Sequence, residues 1–144
     1  MLAYATRLKD QEISPNMKWI SVAPNYDFSM YPAGIIDNHY YFATNKNATN
    51  LKVAKIKLDW SKARQIKSFT DLQDRPAVID VVVERKDAKI DYFGITATAK
   101  DKLVVLYIEN GYNSLYLHDA LTGKLIKNLL PDCEYKTQMK ELTI

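Results

Sequence analysis

An all-β chain of antiparallel four-stranded meanders is the fold class the sequence predicts, on three observations. Short runs of β-branched and aromatic residues recur along the 144 residues, bounded by turn signals rather than helix caps. The apolar residues in several of these runs alternate with polar ones, the period of a strand with one face turned to a core. Convincing helical periodicity is hard to find anywhere.

The clearest run of elements lies late in the chain. "KLVVLYIE" at 102–109 is rich in strand formers. "NGYN" follows, and Asn110–Gly111 tolerates the positive φ of a tight hairpin. "SLYLHD" alternates, with Leu115 and Leu117 on one face and Tyr116 and His118 on the other. Asp119 starts a turn that Gly123 ends, and "KLIKNL" makes a further strand. Earlier, "NHYYFATN" at 38–45, the polar turn "KNATN" and "LKVAKIKLD" at 51–59 repeat the same grammar. The apolar parity switches between Val53 and Ile56, which reads as a bulge or twist. "WSKA" is the next turn, and "RQIKSF" at 64–69 the next strand. Further strands are expected at 2–8, 17–22, 32–36, 78–84 and 90–98, and any helical turn within "SKARQIKSFTDLQ".

Aligning "IKLD" at 56–59 with "LYLH" at 115–118 separates the two units by about 60 residues. Four short strands per unit at that period suggest the blades of a β-propeller. The chain accommodates about two to three blades, an open arc. The expected division is the end of one blade at 1–31, a blade at 32–84, a blade at 85–130 and the start of another at 131–144.

Composition narrows the chemistry. Hydrophobic residues make up 47% and charged residues 26%, the balance of a globular chain. The net charge of +3 draws no acidic partner strongly. The opening "MLAYATRLKD" lacks the apolar core of a secretory signal, and no run reaches the ~20 apolar residues of a membrane span. A soluble cytoplasmic protein with no membrane partner is expected. Cys133 is the only cysteine, so neither an intrachain disulfide nor a thiolate cluster can form. Lys136 is the one cation near it in sequence, thin support for a reactive thiolate.

The search for catalytic residues assigns none. The four glycines, Gly34, Gly94, Gly111 and Gly123, are spaced so that G-x-S-x-G, a P-loop and a dinucleotide fingerprint are all excluded. His39 and His118 each lie in or at the end of a strand-like run and read as sheet-face histidines. Asp80 with Glu84 and Asp87 with Asp91 are the acidic pairs worth testing for acid-base work. The charge run "ERKDAKID" places them in a solvated turn. No cofactor-binding or metal-ligating set is found. Lys52, Lys55, Lys57, Lys62, Arg64 and Lys67 beside Tyr40, Tyr41 and Phe42 offer a single-strand nucleic-acid reading. Strand lysines are also an ordinary guard against edge pairing, so no nucleic-acid partner is expected. "NAT" at 47–49 fits a glycosylation acceptor, but a plain hairpin turn is the better account.

Taken in order, the pieces resemble a known family. "MKWISVAPNYDFSMYPAGIIDNHYYFATNKNATNLKVAKIKLD", "VVVERKDAKIDYFGI" and "LVVLYIENGYNSLYLHDALTGKLI" resemble the propeller domain of prolyl oligopeptidase, and "SLYLHDALTGKLI" is the most specific stretch. The resemblance runs from residue 2 to about residue 130. It implies part of a seven-bladed ring that caps an α/β-hydrolase domain and limits substrates to short peptides, cut after proline. The hydrolase domain, which carries the serine, aspartate and histidine, has no counterpart here, so no catalytic residue carries over. The implied partners are the other propeller blades, that hydrolase domain and, through the parent enzyme, short peptides. The alternative is a stand-alone β-rich module that binds a protein or peptide on its tyrosine-rich surface. Between Trp60 and Val81 the chain is longer than the family pattern needs, and either "RQIKSF" or "VIDVVVE" can be the outer strand. An open arc leaves a bare blade face. Baring ~500 Å² of apolar surface costs ~12 kcal/mol at ~25 cal/mol per Å², as much as the whole stability of a typical domain. Marginal stability or self-association is therefore expected.

Overall fold

Three stacked antiparallel sheets organise the chain. The computed structural model describes residues 2–98 and 100–131. A small first sheet holds β1 (Ala3–Ala5), β2 (Lys18–Ala23) and β6 (Arg64–Gln65) in the order β1-β2-β6. The middle sheet holds β3 (Met30–Ile36), β4 (His39–Thr44), β5 (Lys52–Lys57) and β7 (Ile79–Val82) in that order. The third sheet runs β8 (Ala88–Ala97), β9 (Lys102–Glu109), β10 (Tyr112–Asp119), β11 (Leu125–Asn128). Helical structure among the described residues is confined to short 3-10 turns at Leu8–Asp10, Trp60–Lys62 and Phe69–Asp71. The all-β meander architecture is thus the one expected.

Local chemistry sets the hairpins. Asp37 and Asn38 join β3 to β4 at φ of +48° and +55°, and Asn110 and Gly111 join β9 to β10 at +48° and +80°. Positive φ at both central residues matches the twist of the flanking strands, and Asn, Asp and Gly reach it at least cost. The β10–β11 turn is organised by Asp119, whose Oδ1 accepts from the Leu121 and Thr122 amides and the Thr122 hydroxyl at 3.0, 2.9 and 3.0 Å. Gly123 closes that turn at φ +75°, and a Cβ there would lie 1.6 Å from the Val81 carbonyl oxygen. The turn of the third sheet therefore rests directly on the backbone of β7.

Packing explains the parity switch in β5, and the reason is not a bulge in that strand. β5 pairs with β4 without interruption from His39↔Lys57 to Thr44↔Lys52. A register shift does occur on its other side, against β7, between Val53 and Ala54. What changes along β5 is the face being read. Val53 belongs to the core shared with the third sheet, and Ala54 and Ile56 to the core shared with the first. A sheet covered on both faces has no polar side to alternate with. β4 shows this most fully: Tyr41, Phe42, Ala43 and Thr44 are all completely buried. Phe42 points to the first sheet's core, while Tyr41 and Ala43 point to the third's.

The structure also resolves the outer strand of the middle sheet. Ile79–Val82 takes that place as β7, and Arg64–Gln65 crosses to the first sheet, where Gln65 pairs with Lys18 and Arg64 with Trp19. "RQIKSF" forms only two strand residues because its end is anchored elsewhere. Ser68 and Asp71 form a reciprocal capping box around the turn Phe69–Asp71. The Phe69 ring stacks on Tyr4 at 4.6 Å and meets Trp19 edge-on at 5.2 Å. Leu72 is fully buried just beyond.

Candidate functional site

The groups flagged from sequence serve the scaffold. His39 Nδ1 lies 2.8 Å from the Asp37 carbonyl, at the start of its own hairpin. His118 is buried, and its Nδ1 donates to the Gly123 carbonyl at 3.0 Å. Burial lowers its pKa, so the ring is neutral at pH 7, with Nε2 unprotonated. Asp80 pairs with Lys52 at 2.9 Å. Glu84 departs from the solvated turn expected for it. Its side chain is only 10% exposed. It accepts from the Asn50 amide at 2.7 Å and from Lys86 at 2.6 Å, which together hold its carboxyl below the usual range. It thereby ties the β4–β5 turn to the β7–β8 connection. Asp87 and Asp91 do not meet: Asp87 pairs with Arg85, and Asp91 caps a backbone amide within β8.

The basic and aromatic stretch around β4 and β5 is divided, with Lys57, Lys62, Arg64 and Lys67 exposed and Tyr40 half-buried. Tyr41 and Phe42 are fully buried and present no ring face to a base. Lys55 lies 5.7 Å over the Tyr41 ring, and Arg64 pairs with Asp74 at 3.0 Å. Asn47 sits in a turn at φ +51°. Cys133, Lys136 and nearly all of the segment 131–144 lie outside the described residues. Among the described residues, no three His, Cys, Asp or Glu side chains converge as a metal site would need.

Arg85 is the electrostatic hub between the middle and third sheets. Its guanidinium donates to Asp87 and to Glu109, each at 2.7 Å, and lies 5.0 and 5.4 Å over the rings of Tyr107 and Tyr116. Tyr116 donates to the second Glu109 oxygen at 2.7 Å. Burial pushes the Tyr107 hydroxyl up to about 12. Burial also works against the Glu109 charge, but hydrogen bonding and Arg85 prevail and hold that carboxyl low. The arrangement fastens the β7–β8 connection onto the third sheet.

The feature that points outward lies on β3 and β8. These are the first strands of their sheets, each an edge strand among the described residues, and they pack against each other. β8 carries a large bulge: Ile90 pairs with Tyr107 and Ile95 with Val105, so residues 91–94 face Leu106 alone. Two residues build it. The Phe93 amide donates to Asp91 Oδ1 at 3.1 Å. Gly94 lets the bulge close on β9, because a Cβ there would lie 2.7 Å from Leu106 Cβ. The bulge delivers Tyr92 and Phe93 to the surface, 45% and 79% exposed. Tyr31 of β3 meets them, its ring centroid 4.9 Å from Tyr92 and 6.1 Å from Phe93. Lys89 Nζ donates to the Tyr92 hydroxyl at 3.0 Å. The sequence pattern predicts a plain strand over 90–98. The isolated Gly94 in a strand pattern, three residues after Asp91, was the signal for the bulge.

Four-stranded meanders stacked face to face, with their first strands side by side, define a segment of a β-propeller. More particularly, the chain belongs to the family of the prolyl oligopeptidase N-terminal β-propeller domain, whose model matches residues 2–140. Among curated proteins it is 25% identical over 127 residues to prolyl oligopeptidase ophP of Omphalotus olearius and 28% identical over 125 residues to prolyl oligopeptidase dbiP of Dendrothele bispora. Each alignment covers 87% of this chain but 15% of the relative, so the chain spans about one seventh of their length. Among solved structures it resembles prolyl oligopeptidase B from Galerina marginata, bound there to a 35mer hydrolysis and macrocyclization substrate. The TM-score is 0.69 at 25% identity, over 91% of this chain and 16% of that one.

Proposed function

We propose that this chain is a non-catalytic propeller segment of a prolyl-oligopeptidase-type serine peptidase, which gates the access of short proline-containing peptides to a hydrolase domain. The third sheet carries this reading. β9 is apolar almost throughout, "LVVLYI" at 103–108, as a strand covered on both faces would be. Leu103, Val105 and Tyr107 are buried in the core shared with the middle sheet. On the other face Ile108 is 42% exposed, and at the edge of the same sheet Leu125 and Ile126 of β11 are 51% and 45% exposed. The partners that complete the reading are a further blade on that face and the α/β-hydrolase domain. Until that face is covered, it drives the chain to associate with itself.

Complementation tests the proposal. The chain is mixed with a prolyl oligopeptidase lacking the corresponding segment. The expected result is restored cleavage of short proline-containing peptides, with unfolded long polypeptides still spared. Stable binding of the two parts with no change in either rate or size restriction would overturn it.

A further inference from the structure

This inference rests on the peptidase-propeller reading above and concerns the aromatic cluster on β3 and β8. An open edge strand pairs with any extended chain unless its ladder is interrupted. Both edges here are interrupted. Pro32 has no N–H to give, and β3 changes register between Pro32 and Gly34. β8 is broken by its four-residue bulge. Strand addition is therefore blocked along this stretch, and what it offers a peptide is rings instead.

The rings are held in place. Tyr92 is fixed by Lys89, whose ammonium also lies 4.7 Å over the ring. The Phe93 backbone is fixed by the Asp91 cap and the close fit at Gly94, and its ring meets Tyr31 edge-on at 6.1 Å. Exposed aromatic rings set at an angle to one another offer apolar faces against which a pyrrolidine can lie. Proline-bearing segments dock on aromatic-lined surfaces because they are extended before binding and need no ladder. The geometry points to an extended, proline-bearing segment of the peptide substrate as the occupant of the Tyr31–Tyr92–Phe93 cluster. The Lys89 ammonium has three donors and one partner hydroxyl here, leaving donors for a peptide carbonyl or carboxylate.

The test titrates the full chain with an uncharged eight-residue peptide carrying three prolines and with its counterpart in which alanine replaces each proline. Two-dimensional amide NMR reads binding and fold together. The proline peptide is expected to saturate, to shift the amides of Tyr31, Tyr92 and Phe93, and to bind about tenfold more tightly than the alanine peptide. Phe93→Ala should weaken the proline peptide about tenfold with the spectrum otherwise retained, since the ring is largely exposed. Ile35→Ala removes an apolar side chain of β3 that is 62% exposed and outside the cluster, and should leave affinity unchanged. Equal binding of the two peptides, unchanged affinity in Phe93→Ala, or no binding would each overturn the inference. If complementation succeeds while the proline peptide fails to bind, only this site falls; if complementation itself fails, the parent reading falls.

Discussion

The middle and third sheets share one topology and one hairpin grammar, yet they live in different surroundings. In the middle sheet four successive residues of β4, Tyr41 to Thr44, are completely buried, because sheets cover both of its faces. In the third sheet β9 and β10 bury one face against the middle sheet, while on the other face Ile108 is 42% exposed and Leu115 and Leu117 are only half-buried. The difference teaches that a propeller blade is stabilised as much by its neighbours as by its own ladder. Burying a large apolar side chain stabilises by about 1.5–3 kcal/mol, and a doubly covered sheet collects that from both faces. A singly covered sheet must also be fastened, and the Arg85 hub, the Gly123 contact and the hydrogen bond from Tyr41 to the Ala120 carbonyl at 2.9 Å do this.

The comparison breaks most visibly at Phe42. Phe42→Ala opens a cavity between the first and middle sheets and should cost about 3–5 kcal/mol, read by urea denaturation. A loss below about 1 kcal/mol would show that the first sheet does not cover the middle one. Gly123→Ala should come next, at about 2–3 kcal/mol, because the new methyl meets the Val81 carbonyl at an unfavourable φ. Proteolysis of the variant should then cut preferentially in the third sheet.

The pH dependence sharpens the same contrast. His118 is buried and neutral in the fold, with its pKa below the ordinary value. The unfolded chain therefore binds more protons below about pH 6.5. Stability should be flat above that value and fall by up to about 1.4 kcal/mol per pH unit as pH drops towards the folded pKa. Thermal melts between pH 7.5 and pH 5 should show this fall, and His118→Gln should flatten it. The smallest effect is expected at Ile108→Ala, within about 0.5 kcal/mol. The same substitution should reduce self-association in sedimentation. A cost matching that of Phe42→Ala would mean that the outer face of the third sheet is already covered.

Much of the fold was legible because it is local. Asn110–Gly111, and Asp119 with Gly123, set their hairpins through backbone preferences that neighbours in sequence decide, whereas Asn38, read as part of the run 38–45, proves to be a turn residue with Asp37. Strand formers between those turns then have few alternatives to a meander. The aromatic cluster was not legible, although Gly94 marked the bulge. Which rings meet there depends on Tyr31 arriving from a strand some 60 residues away.

The sequence by itself determined the strands, their turns and their order, because turn geometry and side-chain alternation act over a few residues. Only the tertiary structure decided the rest. It chose Ile79–Val82 over Arg64–Gln65 as the outer strand, since Phe69 binds its segment to Tyr4 and Trp19 of the first sheet. It also turned the parity switch in β5 into two cores rather than one bulge, since burial on a second face depends on a sheet distant in sequence. Contacts of that kind carry no signature within a short window, because the energy that selects them arises only when separate sheets stack.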